Sequence, residues 1–205
     1  MSCSLFSQEK TIKTTEIPSP SIEINTDGLD DIIIENTEDN QLKIILMDEN
    51  PNSHRIFTEE ENDVFKINFQ LDFNTYKDEV FRKYITKRLQ RASVVVKIPK
   101  NKDVIIYGKT IGVVSKSYYG NLAVYIDKGN VKLHQVQKNI AVKLFLGNVY
   151  AQLSSNNSID VNTNKGQIVI DNKQIQHSVY KKQFETSSFN FEVKSINANV
   201  NLITK

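Results

Sequence analysis

A turn led by Gly or Asn recurs through the second half of this chain, and it limits what the chain can fold into more than any other feature. Gly112-Val113-Val114, Gly129-Asn130-Val131, Gly147-Asn148-Val149 and Gly166-Gln167-Ile168 follow one another at intervals of 17, 18 and 19 residues. A second series, Gly120-Asn121-Leu122, Asn139-Ile140-Ala141 and Asn157-Ser158-Ile159, interleaves at intervals of 19 and 18. Two series with one period predict a unit of two short strands and two turns. Between the turns the sequence alternates: Ile140, Val142 and Leu144 flank Ala141 and Lys143, while Val149, Ala151 and Leu153 flank Tyr150 and Gln152. Each strand therefore has one apolar face. A unit of about 18 residues cannot bury that face alone, so successive units must stack. Gly and Asn suit the corners because both tolerate left-handed backbone. Asn residues at equivalent corners would also pair into side-chain ladders. The fold expected is all-β, a single-stranded β-solenoid with turns of about 18 residues. The alternative is an antiparallel sandwich with evenly spaced hairpins.

The first half is punctuated differently. All four prolines, Pro18, Pro20, Pro51 and Pro99, precede residue 100, whereas six of the seven glycines lie between 108 and 166. SIEIN at 21–25 and DIIIEN at 31–36 surround an Asp27-Gly28 turn signal, and QLKIILMDE at 41–49 follows after a hairpin-length Thr37–Asn40 connection. VFKINFQLDF at 64–73 alternates with Phe65, Ile67, Phe69, Leu71 and Phe73 on one face. TYKDEVFRKYITKRLQRA at 75–92 changes period: Val80, Phe81, Tyr84, Ile85 and Leu89 follow helical spacing after a capping-box-like Thr75 and Asp78. One short amphipathic helix is expected near 75–91, then a strand at 93–99 and a last alternating segment from Phe189. The domain division expected is a residual signal or disordered segment over 1–19 and one domain over 20–205. Within that domain, 20–92 would be irregular and 93–205 regular.

The N-terminal MSCSLFSQEK reads like the end of a secretory signal, a short apolar piece closing on small residues, although no charged region precedes it. Three explanations stay open: the start lies upstream, Cys3 is a lipid-attachment site of a longer chain, or this is the disordered tail of a cytoplasmic protein. A single cysteine excludes an intrachain disulfide and a cysteine-based zinc site. No apolar run approaches the roughly 20 residues of a membrane helix. A net charge of +2 implies no polyanionic partner, and RNA- or DNA-binding signatures are absent, so no nucleic acid is expected.

Candidate chemistry is sparse. His54, His134 and His177 share no metal-ligand spacing, so neither a metal nor a cofactor is expected. The acidic run Glu59-Glu60-Glu61-Asn62-Asp63 fits a charged hairpin turn better than a calcium loop. No carboxylates align on outward positions as a glycosidase would need, and nucleophile-elbow, phosphate-loop and dinucleotide motifs are missing. No catalytic residues are therefore assigned. The expected binding surface is polar and aromatic: Tyr125 and Tyr150 with neighbouring Lys and Gln, and Tyr118 and Tyr119 beside them.

The Gly-Asn-Val and Gly-Gln-Ile turns, the preceding SVVVKIPKNKDVIIYG and the signal-like N-terminus resemble a bacterial envelope family of adhesin-like β-solenoids of unknown function. That family is similar to the heads of auto-transporter adhesins, and its members include exported Bacteroidetes proteins. The resemblance covers 93–205 well and 20–92 loosely. It implies a non-enzymatic protein exported to the periplasm or cell surface, serving adhesion or scaffolding toward a glycan or an envelope protein. Because the family has no established catalytic residues, none is carried over. Two alternatives remain: a polymer-forming scaffold self-associating through solenoid ends, and a polysaccharide-processing β-helix enzyme.

Overall fold

Three long strands carry the framework: β10 (Leu122–His134), β11 (Ile140–Leu153) and β16 (Asn190–Thr204). They run parallel and in register, with Leu122 opposite Ile140 and Ile140 opposite Phe191. The structure is a computed structural model that describes residues 9–48, 54–71, 92–185 and 189–205. Each long strand bends in its middle. The ladder skips Asp127, Phe145 and Ile196, and the buried positions change parity there, from Leu122, Val124 and Ile126 to Val131 and Leu133. One residue on each strand is left out of the ladder at the same level, so the register is kept while the inward parity changes. The apolar sides of both halves thereby meet in one core. Just past the bend, Gly129 and Gly147 hold φ of 154° and 147°.

The other strands extend this bent frame. Before the bend, β8 (Asp103–Thr110) pairs with β10, β2 (Ser21–Asn25) with β8, β6 (Val64–Leu71) with β2, and β5 (His54–Glu61) with β6. On the far side of β16 lie β12 (Ser158–Thr163) and β15 (Val179–Lys182). After the bend the order runs β10, β9 (Gly112–Lys116), β3 (Asp31–Asn36), β7 (Ala92–Ile98), β4 (Gln41–Asp48) and β1 (Glu9–Glu16). There β16 pairs with β13 (Ile168–Ile170), which pairs with β14 (Lys173–Ile175). Two tight hairpins use paired left-handed residues, Asn62-Asp63 between β5 and β6 and Asp171-Asn172 between β13 and β14. The acidic run is thus a hairpin strand and turn, with the Lys66 ammonium donating to Glu61 at 2.6 Å.

The expected single-stranded β-solenoid is not what forms. The described strands make one mixed 16-stranded sheet, parallel at its centre and antiparallel at β1–β4, β4–β7, β5–β6, β12–β15 and β13–β14. The 18-residue spacing survives only as a register offset among β8, β9, β10 and β11, where Leu122 faces both Val104 and Ile140. Beyond β11 the order breaks, because β16 lies between β11 and β12. Gly147 therefore faces Ala198, not Gly166, and Asn139 is followed by Asn190, not by the Asn157 corner. The physical reason lies in strand length. β11 is 14 residues long, and its backbone groups need partners along both halves. β16, unbroken over 15 residues, pairs with all of it, whereas β12 and β13 are separate strands of 6 and 3.

Two local expectations are also corrected. DIIIEN and QLKIILMDE do not form a hairpin: β7 lies between β3 and β4, parallel to the first and antiparallel to the second. β7 presents valines to both sides, Val94 and Val96 to the core and Val95 outward, which suits a central strand. Residues 9–16, placed in a signal or disordered segment, form β1 against β4. Residues 1–8, including Cys3, and the helix expected near 75–91 lie outside the described residues; among the described residues no helix forms.

Candidate functional site

Parallel in-register pairing turns sequence columns into rows that cross the strands about 4.8 Å apart. On the outer side of the first half, four such rows lie side by side. The first is an amide ladder. Asn121 Nδ2 donates to Asp103 Oδ1 at 2.8 Å, Asn139 Nδ2 to Asn121 Oδ1 at 3.1 Å, and the Asn190 backbone N–H to Asn139 Oδ1 at 3.0 Å. The second row, Ile105, Ala123 and Ala141, is apolar and low, and ends at Glu192. The third is tall: Tyr107, Tyr125, Lys143 and Lys194. The fourth holds the bend residues Asp127, Phe145 and Ile196.

The third row is a ridge. The rings of Tyr107 and Tyr125 lie 5.6 Å apart and tilted, and the Lys143 ammonium lies 5.2 Å from the Tyr125 ring centroid. Tyr107 is 40% exposed, and partial desolvation of its phenol, with Glu23 and Tyr125 near, pushes its pKa up. Lys194 is held charged by the Glu192 carboxylate, to which it donates and which raises its pKa. A shallow groove of about 290 Å³ runs over the amide ladder and the low second row, lined by Asp103, Asn121, Asn139 and Asn190 and by Ile105, Ala123, Ala141 and Glu192, with the ridge in the next row. A second, of about 580 Å³, lies between the ridge and the bend, where Phe145 is 60% exposed. Both are open troughs.

The four tyrosines expected at one surface are not together. Tyr118 is core: it is 3% exposed, its hydroxyl donates to the Lys102 carbonyl at 2.7 Å, and burial pushes its pKa far up. Tyr119 lies in the turn between β9 and β10, where the Lys138 ammonium lies 4.7 Å from its ring centroid and 5.2 Å from that of Phe189. Tyr125 is on the ridge. Tyr150, 42% exposed, lies on the outer side of the other half, opposite Lys132 and Asn201. Sequence reasoning missed Tyr107, although it stands 18 residues before Tyr125 and in the same row. Lys143 was findable by the same offset, 18 residues after Tyr125. Lys194 was not, because its place depends on where β16 inserts.

Of the histidines, His54 is buried, its Nδ1 at 2.5 Å from Asp48 Oδ2 and its Nε2 at 3.0 Å from the Gly28 carbonyl. His134 and His177 are exposed elsewhere. Among the described residues no group of three or more His, Cys, Asp or Glu side chains could hold a metal ion. Strand order does bring two carboxylates side by side, Asp160 opposite Glu192. Lys181 pairs with Asp160 at 2.9 Å and Lys194 with Glu192, and all four are partly exposed. Charged carboxylates neutralised by lysines at a surface form an ion-pair cluster; a general acid needs burial to stay protonated. On the second half another ladder runs from Asn130 through Asn148 to Asn199, with Nδ2 to Oδ1 distances of 2.8 and 3.2 Å.

Fold and surface together define an all-β protein whose chemistry is displayed on a regular outer sheet face. No family model matches the chain, and no curated protein matches it. Among solved structures it is similar to a "putative cell adhesion protein" from Clostridium sporogenes ATCC 15579. The identity is 15%, the coverage 97% of this chain and 100% of that one, and the TM-score 0.68. At that identity the likeness shows the fold. A "putative adhesin" from Bacteroides fragilis NCTC 9343 aligns over 96% of this chain and 98% of its own at 9% identity, with a TM-score of 0.35, too low to argue from. No helix among the described residues is long and apolar enough to cross a membrane.

Proposed function

We propose that this chain is a non-enzymatic, adhesin-like binding module of the bacterial envelope, exported and acting through its outer sheet face. The observation that carries the reading is the ridge of Tyr107, Tyr125, Lys143 and Lys194, exposed between two open troughs. Aromatic and cationic side chains fixed on rigid strands bind at low entropic cost, because little freedom is left to lose. The end-to-end likeness to a protein described as one of cell adhesion supports the same reading. The test is adherence together with fractionation. Fluorescent protein should label intact cells or extracellular matrix saturably, and an antibody should find the native protein outside the cytoplasm of its source. Retention in the cytoplasm, or no saturable labelling of any surface, would overturn the proposal.

A further inference from the structure

We infer that the trough over the amide ladder and the low row beside the tyrosine ridge is a binding site for an uncharged, linear glycan lying across the strands; this rests on the adhesin-like reading above. Each row matches one aspect of a sugar chain. The floor of Ile105, Ala123 and Ala141 is apolar, and in two of its three places the side chain is a single methyl, which opens the trough. Such a floor suits the C–H face of a pyranose ring. Tyr107 and Tyr125 stand in the next outward row, beside the floor on the side away from the ladder, and offer apolar ring surface to sugar C–H groups.

The ladder supplies hydrogen bonds. In Asn121 and Asn139 one N–H of the side-chain amide is spent on the ladder, leaving the second of each pair for a hydroxyl. Asp103 Oδ1 accepts from Asn121, and its carboxylate has further acceptor capacity at the end of the row. These groups recur once per strand, about every 4.8 Å, close to the length of one sugar residue in an extended chain. A polymer laid along the rows therefore meets the same donors and the same floor at each step.

Charge selects the class. Asp103 and Glu192 lie at the two ends of the trough, and Lys143 and Lys194 stand in the row beside it, two charges of each sign. Glu192 already neutralises Lys194, and Lys143 lies against the Tyr125 ring. With the Glu192–Lys194 pair closed, one charge of each sign is left, Asp103 at one end of the trough and Lys143 in the row beside it, so the surface carries no net charge there and a neutral chain fits best. The mode is that of most small-ligand sites, apolar walls with a few fixed polar groups, here opened into a line.

The experiment uses the full chain and an array carrying neutral and acidic oligosaccharides, alongside adherence to intact cells. Two variants act on the trough independently: Ala141→Phe fills it from an outward position, and Tyr125→Ala removes half of the aromatic pair beside it. Ile203→Asn, on the outer side of the other half, is the control. Urea midpoints confirm that all three fold. The expected result is binding to a family of neutral glycans, weakened at least tenfold by each trough variant and unchanged by the control. Array binding confined to acidic glycans, or unaffected by Ala141→Phe and Tyr125→Ala, would overturn the trough assignment. If cells were still labelled in that case, the adhesin-like reading would stand without it. Failure to label any cell would sink both.

Discussion

Replacing Gly147 by alanine tests the geometry of the bend directly. At φ of 147° the backbone of Gly147 lies in a region that residues with a side chain rarely adopt. Holding alanine there costs about 1–3 kcal/mol. A Cβ at this position would lie 1.8 Å from the Gly129 carbonyl oxygen and 2.9 Å from its carbon, both backbone atoms of the adjacent strand. No rotamer relieves that overlap, so β10 and β11 must separate locally. The ladder bonds on either side then stretch or break, at about 1 kcal/mol each. The total is about 3–5 kcal/mol, a large share of the roughly 5–15 kcal/mol that holds a domain folded.

Gly112→Ala is the matched comparison. There a Cβ would meet Asp31 Oδ1 at 2.1 Å, but that atom ends a side chain that can rotate away, and the φ is ordinary. The expected loss is about 1 kcal/mol or less. In urea unfolding, with a slope of about 2.5 kcal/mol/M for a chain of this size, Gly147→Ala should lower the midpoint by about 1.5 M and Gly112→Ala by less than about 0.4 M. Equal shifts, or a loss below about 1 kcal/mol for Gly147→Ala, would refute the claim that close strand approach at the bend demands glycine.

Tyr118→Phe removes a buried hydroxyl that donates to the Lys102 carbonyl and leaves that acceptor without it, which should cost about 1–2 kcal/mol in urea unfolding at neutral pH. Because burial raises the Tyr118 pKa above the unfolded value of about 10, its contribution is complete below that pH and is lost as pH rises further. Stability above pH of about 10 should therefore fall less steeply in Tyr118→Phe than in the parent; identical alkaline slopes would contradict this. Asp171 accepts from the Thr204 hydroxyl at 2.6 Å and backbone N–H at 2.7 Å, contacts that hold its carboxyl below the ordinary range. Its contribution is present above the unfolded carboxyl pKa and is lost as pH falls through the lower folded one. Protection of the Thr204 amide, its intrinsic exchange rate over its observed one, should thus fall on acidification in the parent. In Asp171→Asn the observed exchange should follow only the intrinsic pH dependence.

Much of the local structure was legible in the sequence. The alternation of β6, β7, β10 and β11, the corner glycines and the asparagine ladders all follow from period, backbone permissiveness and side-chain chemistry. These are properties of a few adjacent residues, or of two units with the same offset. Tyr118, expected at the surface beside Tyr119, is buried, because it lies between β9 and β10 where strand alternation gives no guide to which side chain turns inward. Nothing in its own triplet shows that the ring turns inward to donate to Lys102. The ridge was half legible, since Tyr107, Tyr125 and Lys143 share one 18-residue offset.

Strand order was not legible, and β16 shows why. Its alternating residues Phe191, Val193, Val200 and Leu202 fit against β11 at an offset of 51, while β12 and β13 present a similar apolar pattern at the expected one. Pattern alone cannot choose between them, because both bury their faces equally well. The choice is made by backbone hydrogen bonds summed over a strand, which favour one unbroken partner for β11 over two short ones. That choice carries a kinetic consequence. Until residues 190–204 arrive, β11 presents a 14-residue edge with unpaired groups, and a strand so exposed is the part of a sheet most open to wrong pairing. The centre of the molecule closes late, through a contact distant in sequence, and such contacts slow folding. The two amide ladders extend onto this strand through Asn190 and Asn199. They reward the register in which the ladder rows line up, and a slip by one residue would cost both ladders as well as the apolar face.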